Sequence, residues 1–246
     1  MDEQLREGLE RLGPDALAIA YLQDHTATYL DPSTLDGVLL TIGRHPRIIS
    51  TAIGTRPDCL PTPVLDVLAS HAARTELLVE VGLQSANDRT LRLVRRGHTV
   101  ACFTDAVRRL HSRDLRVCAH VILGLPTVGS RGLTREGAQD ASATARLLAS
   151  LDVEAVKLHN CHVLAGTPLA DLFLAGLFQP PDLDEYVDLL APFLEHLPWA
   201  VEVHRLVGEA RPPALLAPAF TARKAQALQH IRRALGERGA FQGRLA

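Results

Sequence analysis

A carboxylate stands inside an apolar run in the stretch LVEVGLQSAND, residues 78–88. Leu77, Leu78, Val79, Val81 and Leu83 surround Glu80, and the run closes on Gly82, Gln84 and Ser85. An ionised carboxylate is not left unpartnered among apolar groups, because its desolvation costs too much. Glu80 therefore calls for a diol or cation of a ligand, or for a buried ion pair with an arginine such as Arg56 or Arg96. Gly82 lets backbone approach a ligand closely, and Gln84 and Ser85 supply neutral hydrogen bonds. Other apolar runs end in the same way. ALAIAYL is followed by Gln23, His25, Thr26 and Thr28; IISTAIGT by Arg56, Pro57 and Asp58. HVILGLP holds His120, Ile122, Gly124 and Pro126, and VKLHNCH holds Lys157, His159 and His162. Arg56 and Asp58 can grip a carboxylate or brace their own turn by a salt bridge. A desolvated Lys157 could attack a carbonyl as a Schiff-base aldolase does, and His120, His159 and His162 are zinc-type ligands.

These groups need strands to hold them. The β-branched, apolar runs predict strands at 16–22, 47–53, 76–82, 115–122, 153–158 and 199–204. Helical periodicity between them predicts helices near 34–43, 63–73, 88–95, 100–113, 134–150 and 183–196, with a charged helix over 221–238. Strand–helix alternation of this kind builds right-handed βαβ units and one parallel sheet, open or closed into a barrel. Ligands bind such sheets at the carboxyl ends of the strands, which is where the polar residues fall. The segment 165–182, rich in Gly and Pro, predicts a boundary between a barrel core over 1–165 and an extension over 166–246 that packs on it as one compact domain.

The chain has 246 residues, 47% of them apolar and 22% charged, with a formal net charge of −2. That balance gives no global pull toward nucleic acid. Charge is uneven, however: Arg89, Arg92, Arg95, Arg96, Arg108, Arg109, Arg113 and Arg116 crowd one segment. The segment reads either as a solvated helix face or as a phosphate contact. No apolar run approaches the roughly 20 residues of a membrane span. The acidic, helical start excludes a secretory signal, so a cytoplasmic protein is expected. Cys59, Cys102, Cys118 and Cys161 contain no C-x-x-C pair and read as unpaired thiols.

Four ordered motifs together resemble the YhcC-type radical SAM proteins: GTRPDCL (54–60), VEVGLQSANDRTLRLVRRGHTV (79–100), VCAHVILGLP (117–126) and VKLHNCHVLAGTPLA (156–170). They are also similar to the radical SAM domain of the Elongator catalytic subunit. The resemblance runs from about residue 16 to RPPALLAP at 211–218. It implies a partial (βα)6-type parallel barrel with a C-terminal helical extension. It also implies S-adenosylmethionine held against a 4Fe-4S cluster, cleaved to a 5′-deoxyadenosyl radical that takes hydrogen from substrate. On that footing Thr26, Thr28, Arg56, Asp58, Glu80, Gln84, Ser85, His120, Ile122, Gly124, Lys157 and His159 are expected to bind the cofactor, with Val121–Gly124 against adenine. The Elongator likeness points to the wobble uridine of tRNA, contacted through Arg89, Arg92, Arg95 and Arg96.

The sequence departs from the pattern twice. The proteins it resembles often continue GLP with a Gly-Glu pair, whereas this chain reads Thr127-Val128-Gly129. The cluster requires three thiolates spaced C-x-x-x-C-x-x-C, and no such spacing is present. The chain is therefore expected to lack the first strand and cluster loop and to bind no cluster by itself. A truncated enzyme, one half of a split protein completed by a partner chain, and a degenerate relative all satisfy that expectation. A bare parallel edge is a liability, so the N-terminal helix or another molecule is expected to shield it. A non-catalytic barrel that binds a nucleoside or RNA is the alternative outside enzymology, and the Lys157 aldolase the alternative within it.

Overall fold

A computed structural model describes residues 2–23, 26–130 and 132–246; His25 therefore lies outside the described residues. In chain order the elements are α1 (Asp2–Leu12), β1 (Ala18–Leu22), α2 (Pro32–Gly43), β2 (Ile48–Thr55), α3 (Thr62–Ala72), β3 (Glu76–Gln84), α4 (Asp88–Leu93) and α5 (Val100–His111). There follow β4 (Arg116–Leu123), β5 (Pro126–Gly129), β6 (Gly132–Arg135), α6 (Ala138–Ser150), β7 (Ala155–Asn160), β8 (Val163–Leu164) and α7 (Pro168–Leu174). The chain ends with α8 (Leu183–Glu195), β9 (Glu202–Arg205), β10 (Leu215–Ala217) and α9 (Lys224–Glu237). The six strands expected from sequence form one sheet in the order β1-β2-β3-β4-β7-β9. Pairs β1–β2, β2–β3 and β7–β9 run parallel. Among the described residues no helix is long and apolar enough to cross a membrane.

The chain divides into two compact units, Met1–Gly82 with Ala101–Cys118, and Leu83–Val100 with Ala119–Ala246. In the first, the β-branched runs of β2 and β3 bury Ile53, Val79 and Val81, and the helices supply Leu35, Leu39, Leu65, Leu68 and Phe103. Asp31 starts α2 by accepting from the amides of Ser33 and Thr34, with Pro32 pre-set at the first turn. Thr51 and His71, both buried, meet at 3.2 Å and tie β2 to α3.

The second unit buries Leu148, Val156, Leu158, Tyr186, Leu190, Phe193 and Ile231. A separate apolar cluster gathers Leu125, Cys161, Val163, Ala170, Phe178 and Ala217. Its α8 begins with a reciprocal cap, in which Glu185 N–H donates to Asp182 and Asp182 N–H donates to Glu185. One local expectation fails here. The helix expected over 134–150 does not begin at 134; β5 and β6 pair antiparallel, Pro126 opposite Arg135 and Gly129 opposite Gly132. Gly132 closes that hairpin at a φ of +102°, and α6 starts only after Gly137 N–H donates to Asp140 at 3.0 Å. The last helix begins at Lys224 rather than 221, after a 3-10 turn over Ala219–Arg223.

Candidate functional site

In the first unit β1 and β3 bring Tyr21 to Glu80. The phenol donates to Glu80 Oε2 at 2.7 Å, and the carboxyl is 1% exposed. Tyr21, Gln23, Thr26, Arg56, Asp58 and Cys59 line a cavity of about 990 Å3, with Leu5 of α1 among its walls. Arg56 grips Asp58 through two bonds, Nε–Oδ1 at 2.9 Å and Nη2–Oδ2 at 2.7 Å. That fork raises the guanidinium pKa and braces the turn after β2. Thr28 is buried against Thr55, hydroxyl to hydroxyl. Of the cofactor residues expected here, Thr26, Arg56 and Asp58 line the cavity, Glu80 is hydrogen-bonded to the lining residue Tyr21, and Thr28 is not among the lining residues.

In the second unit, Gln84 ends β3 at a φ of +72°. Left-handed backbone costs a non-glycine residue about 1–2 kcal/mol, and such strain gathers at working sites. Ser85 donates to the buried Glu136 at 2.5 Å and accepts from Asn87 N–H. Burial raises the Glu136 carboxyl to about 7, against the hydroxyls of Ser85 and Thr90, which favour its charged form.

His159 of β7 stands 5.8 Å from the ring of His120 and touches the guanidinium of Arg205, which β9 places beside Lys157. Burial first, then Arg205 and the neighbouring basic groups, push the imidazole down to about 3, so it is neutral at pH 7. His162 bonds Asn160 at 3.2 Å, and Asn160 donates to Thr221. A methyl on Gly208 would stand 2.9 Å from His162 and 3.0 Å from His159, so the bare backbone there seats both rings. A cavity of about 490 Å3 opens on this cluster. Its apolar walls are Ile122, Leu125, Leu133, Leu169 and Leu172, and His159, Asn160, His162 and Arg95 supply polar groups. Gly124 adopts a φ of +80° with Pro181 over its α-carbon; a Cβ would meet that ring at 2.6 Å.

Of the residues expected in this unit, Ile122 and His159 line the cavity, whereas Gln84, Ser85, His120, Gly124 and Lys157 are not among its lining residues; Tyr21, Glu136, Arg205 and Gly208 were not anticipated. Tyr21 read as one more apolar strand residue, and Glu136 as part of a helix. Arg205 sits on a short polar strand, and Gly208 gives no signal without its neighbours. Among the described residues no group of three or more His, Cys, Asp or Glu could hold a metal ion. The three histidines thus form no zinc site. Cys161 is buried and its thiol pushed up to about 12, the reverse of what a thiolate ligand requires. The described thiols do not fit a 4Fe-4S cluster.

Residues 2–131 match the Radical SAM superfamily model and residues 153–237 the Radical_SAM C-terminal domain. The chain is 35% identical over 230 residues to a Bacillus subtilis protein, YtqA, covering 94% of this chain and 69% of that one. The chain belongs to the radical SAM superfamily. Escherichia coli YhcC is 32% identical over 90% of this chain and 69% of its own length. A tRNA uridine(34) acetyltransferase of Methanocaldococcus infernus is 28% identical over 65% of this chain and 28% of its own. In fold, the chain is similar to the solved archaeal Methanocaldococcus infernus Elp3, with a TM-score of 0.78 at 17% identity, over 98% of this chain and 59% of that one. The α/β fold is thus that of the radical SAM partial barrels, and the chain spans about three-fifths of that solved chain.

Proposed function

We propose that the second unit's cavity holds the adenosyl group of S-adenosylmethionine. One observation carries this reading: a hollow of about 490 Å3 is lined mainly by apolar side chains, with imidazole and amide groups among them. That combination suits a purine, whose faces are apolar and whose edges need hydrogen bonds. Ile122, Leu125, Leu133 and Leu169 would flank the ring, and Asn160 and His162 would meet its edge. His159 is held neutral, so it offers a hydrogen bond without opposing the sulfonium by charge.

S-adenosylmethionine bound there would supply the radical chemistry of the superfamily. Electron delivery needs thiolates that the described residues do not assemble, so little activity is expected of this polypeptide alone. The substrate we favour is the wobble uridine of a tRNA, approached by Arg89, Arg92, Arg95 and Arg96. Support comes from the named tRNA uridine relative and from the basic helix α4. β1 ends the strand order with Ile19 61% exposed, the edge that a partner chain would extend.

Calorimetric titration with S-adenosylhomocysteine tests the cofactor reading. Saturable binding is expected, and Leu133→Trp, which fills the cavity from half-exposed β6, should weaken it at least tenfold. Equal binding by the filled variant refutes the assignment.

A further inference from the structure

Cys118 and Cys161 are buried, whereas Cys59 and Cys102 are half-buried, and none of the four is in a disulfide. Both half-buried thiols belong to the first unit. Cys59 ends a 3-10 turn over Pro57–Cys59 and lines the cavity of about 990 Å3, beside Arg56 and Asp58. Cys102 lies in the first turn of α5.

The packing of α3 beside α5 brings the two sulfurs to one level. Arg109 Nη2 donates to Thr62 Oγ1 at 3.3 Å and Arg113 Nε donates to Asp66 Oδ1 at 3.1 Å, so the two helices run in the same direction, tied rung by rung. Seven residues make nearly two helical turns, which puts Cys102 on the face of Arg109 and about 10 Å ahead of it. On the other side, the three steps of chain from Cys59 to Thr62 span at most about 10 Å. Each sulfur thus stands a similar distance before the same rung. The electrostatics agree: the Arg56 guanidinium interacts with both sulfurs, and Cys59 with Cys102.

We propose that Cys59 and Cys102 form an oxidant-sensitive dithiol, converted by a hydroperoxide to a disulfide that ties the turn after β2 to α5. With hydrogen peroxide, two thiols and one oxidant give one disulfide and two waters. Cys59 supplies the first sulfur, since it lines the open cavity. Its thiolate attacks a peroxide oxygen, the O–O bond breaks, and the other oxygen leaves as water, so the sulfur becomes a sulfenic acid. Cys102 then attacks that sulfur, and the S–S bond forms as the S–O bond breaks and releases the second water. Burial first, then Asp58 and Asp105, raise the Cys102 thiol, which suits a sulfur that resolves the sulfenic acid rather than meeting the oxidant itself. The pair is not a metal site, because among the described residues no group of three or more His, Cys, Asp or Glu could hold one. Oxidation fixes the turn that carries Arg56 and Asp58, and with it one wall of the cavity. The proposal is independent of the adenosyl reading, which concerns the other unit.

The test treats the full chain with hydrogen peroxide, alkylates the remaining thiols with iodoacetamide in urea, and maps the peptides by mass spectrometry without reductant. A peptide cross-linked through Cys59 and Cys102 and released by dithiothreitol is expected, with Cys118 and Cys161 alkylated. Cys102→Ser should leave Cys59 as a sulfenic acid that dimedone traps, and Cys59→Ser should leave Cys102 as an alkylatable thiol, both variants showing the wild-type circular dichroism. Wild-type chain in which peroxide leaves both thiols alkylatable overturns the pair, whatever the variants do. A cross-link to Cys118 or Cys161, or a disulfide between two copies of the chain, overturns it too. So does dimedone trapped on Cys59 to the same extent in wild type and in Cys102→Ser, since no second thiol would then resolve the first.

Discussion

Glutamine at position 136 keeps an oxygen for the Ser85 hydroxyl and removes the charge, which makes Glu136→Gln a clean perturbation of the second unit. The native carboxyl is 5% exposed and raised from 4.5 to about 7 by burial. An acid whose folded pKa lies above its unfolded value stabilises the protein below pH 4.5 and loses that contribution as pH rises through 7. The shift corresponds to about 3 kcal/mol. His159 works in the opposite sense: lowered from 6.5 to about 3, it contributes stability above pH 6.5 that is lost as pH falls. Between pH 4.5 and 6.5 the two slopes oppose, so the wild-type curve alone is nearly blind to either. The difference between variant and wild type isolates Glu136. Urea unfolding followed by far-ultraviolet circular dichroism, at half-unit steps from pH 4 to 8, should show near-equal stability at the acid end. By pH 8 the variant should be more stable by up to about 3 kcal/mol. A difference that stays flat across this range refutes the buried, proton-holding carboxyl.

Gly124→Ala should cost about 3 kcal/mol or more in thermal or urea unfolding, since it combines positive φ with a methyl forced onto Pro181. Tyr21→Phe leaves Glu80 without the phenol donor and should destabilise by about 1–3 kcal/mol, read in the same melts. Gly208→Ala pushes on two imidazoles that can swing aside. It should spare the melting curve while weakening S-adenosylhomocysteine several-fold, and unchanged affinity would separate that ring pair from the ligand.

Much of the frame was legible because the strand runs are long, apolar and β-branched, which leaves little competition for their assignment. All six fell within a few residues of their observed ends. Glu80 announced itself by polarity alone, as a carboxylate in such a run must. The hairpin at 126–135 was not legible. Thr134, Arg135 and Glu136 have the composition of a helix start, and only the antiparallel register over Pro126–Arg135 shows otherwise. Arg205 and Gly208 were silent for a different reason. Their importance lies in reaching His159 and His162 from the far side of the unit's chain, a tertiary fact that no local pattern carries. Gly124 was read as a motif residue, whereas Pro181 packed against its α-carbon could not be read.

A crystal structure of the chain soaked with S-adenosylhomocysteine measures the central claim directly. Purine density between Ile122, Leu125 and Leu169, with Asn160 and His162 at its edge, is the predicted result. Ligand bound elsewhere on the molecule, with that hollow left vacant, would contradict it.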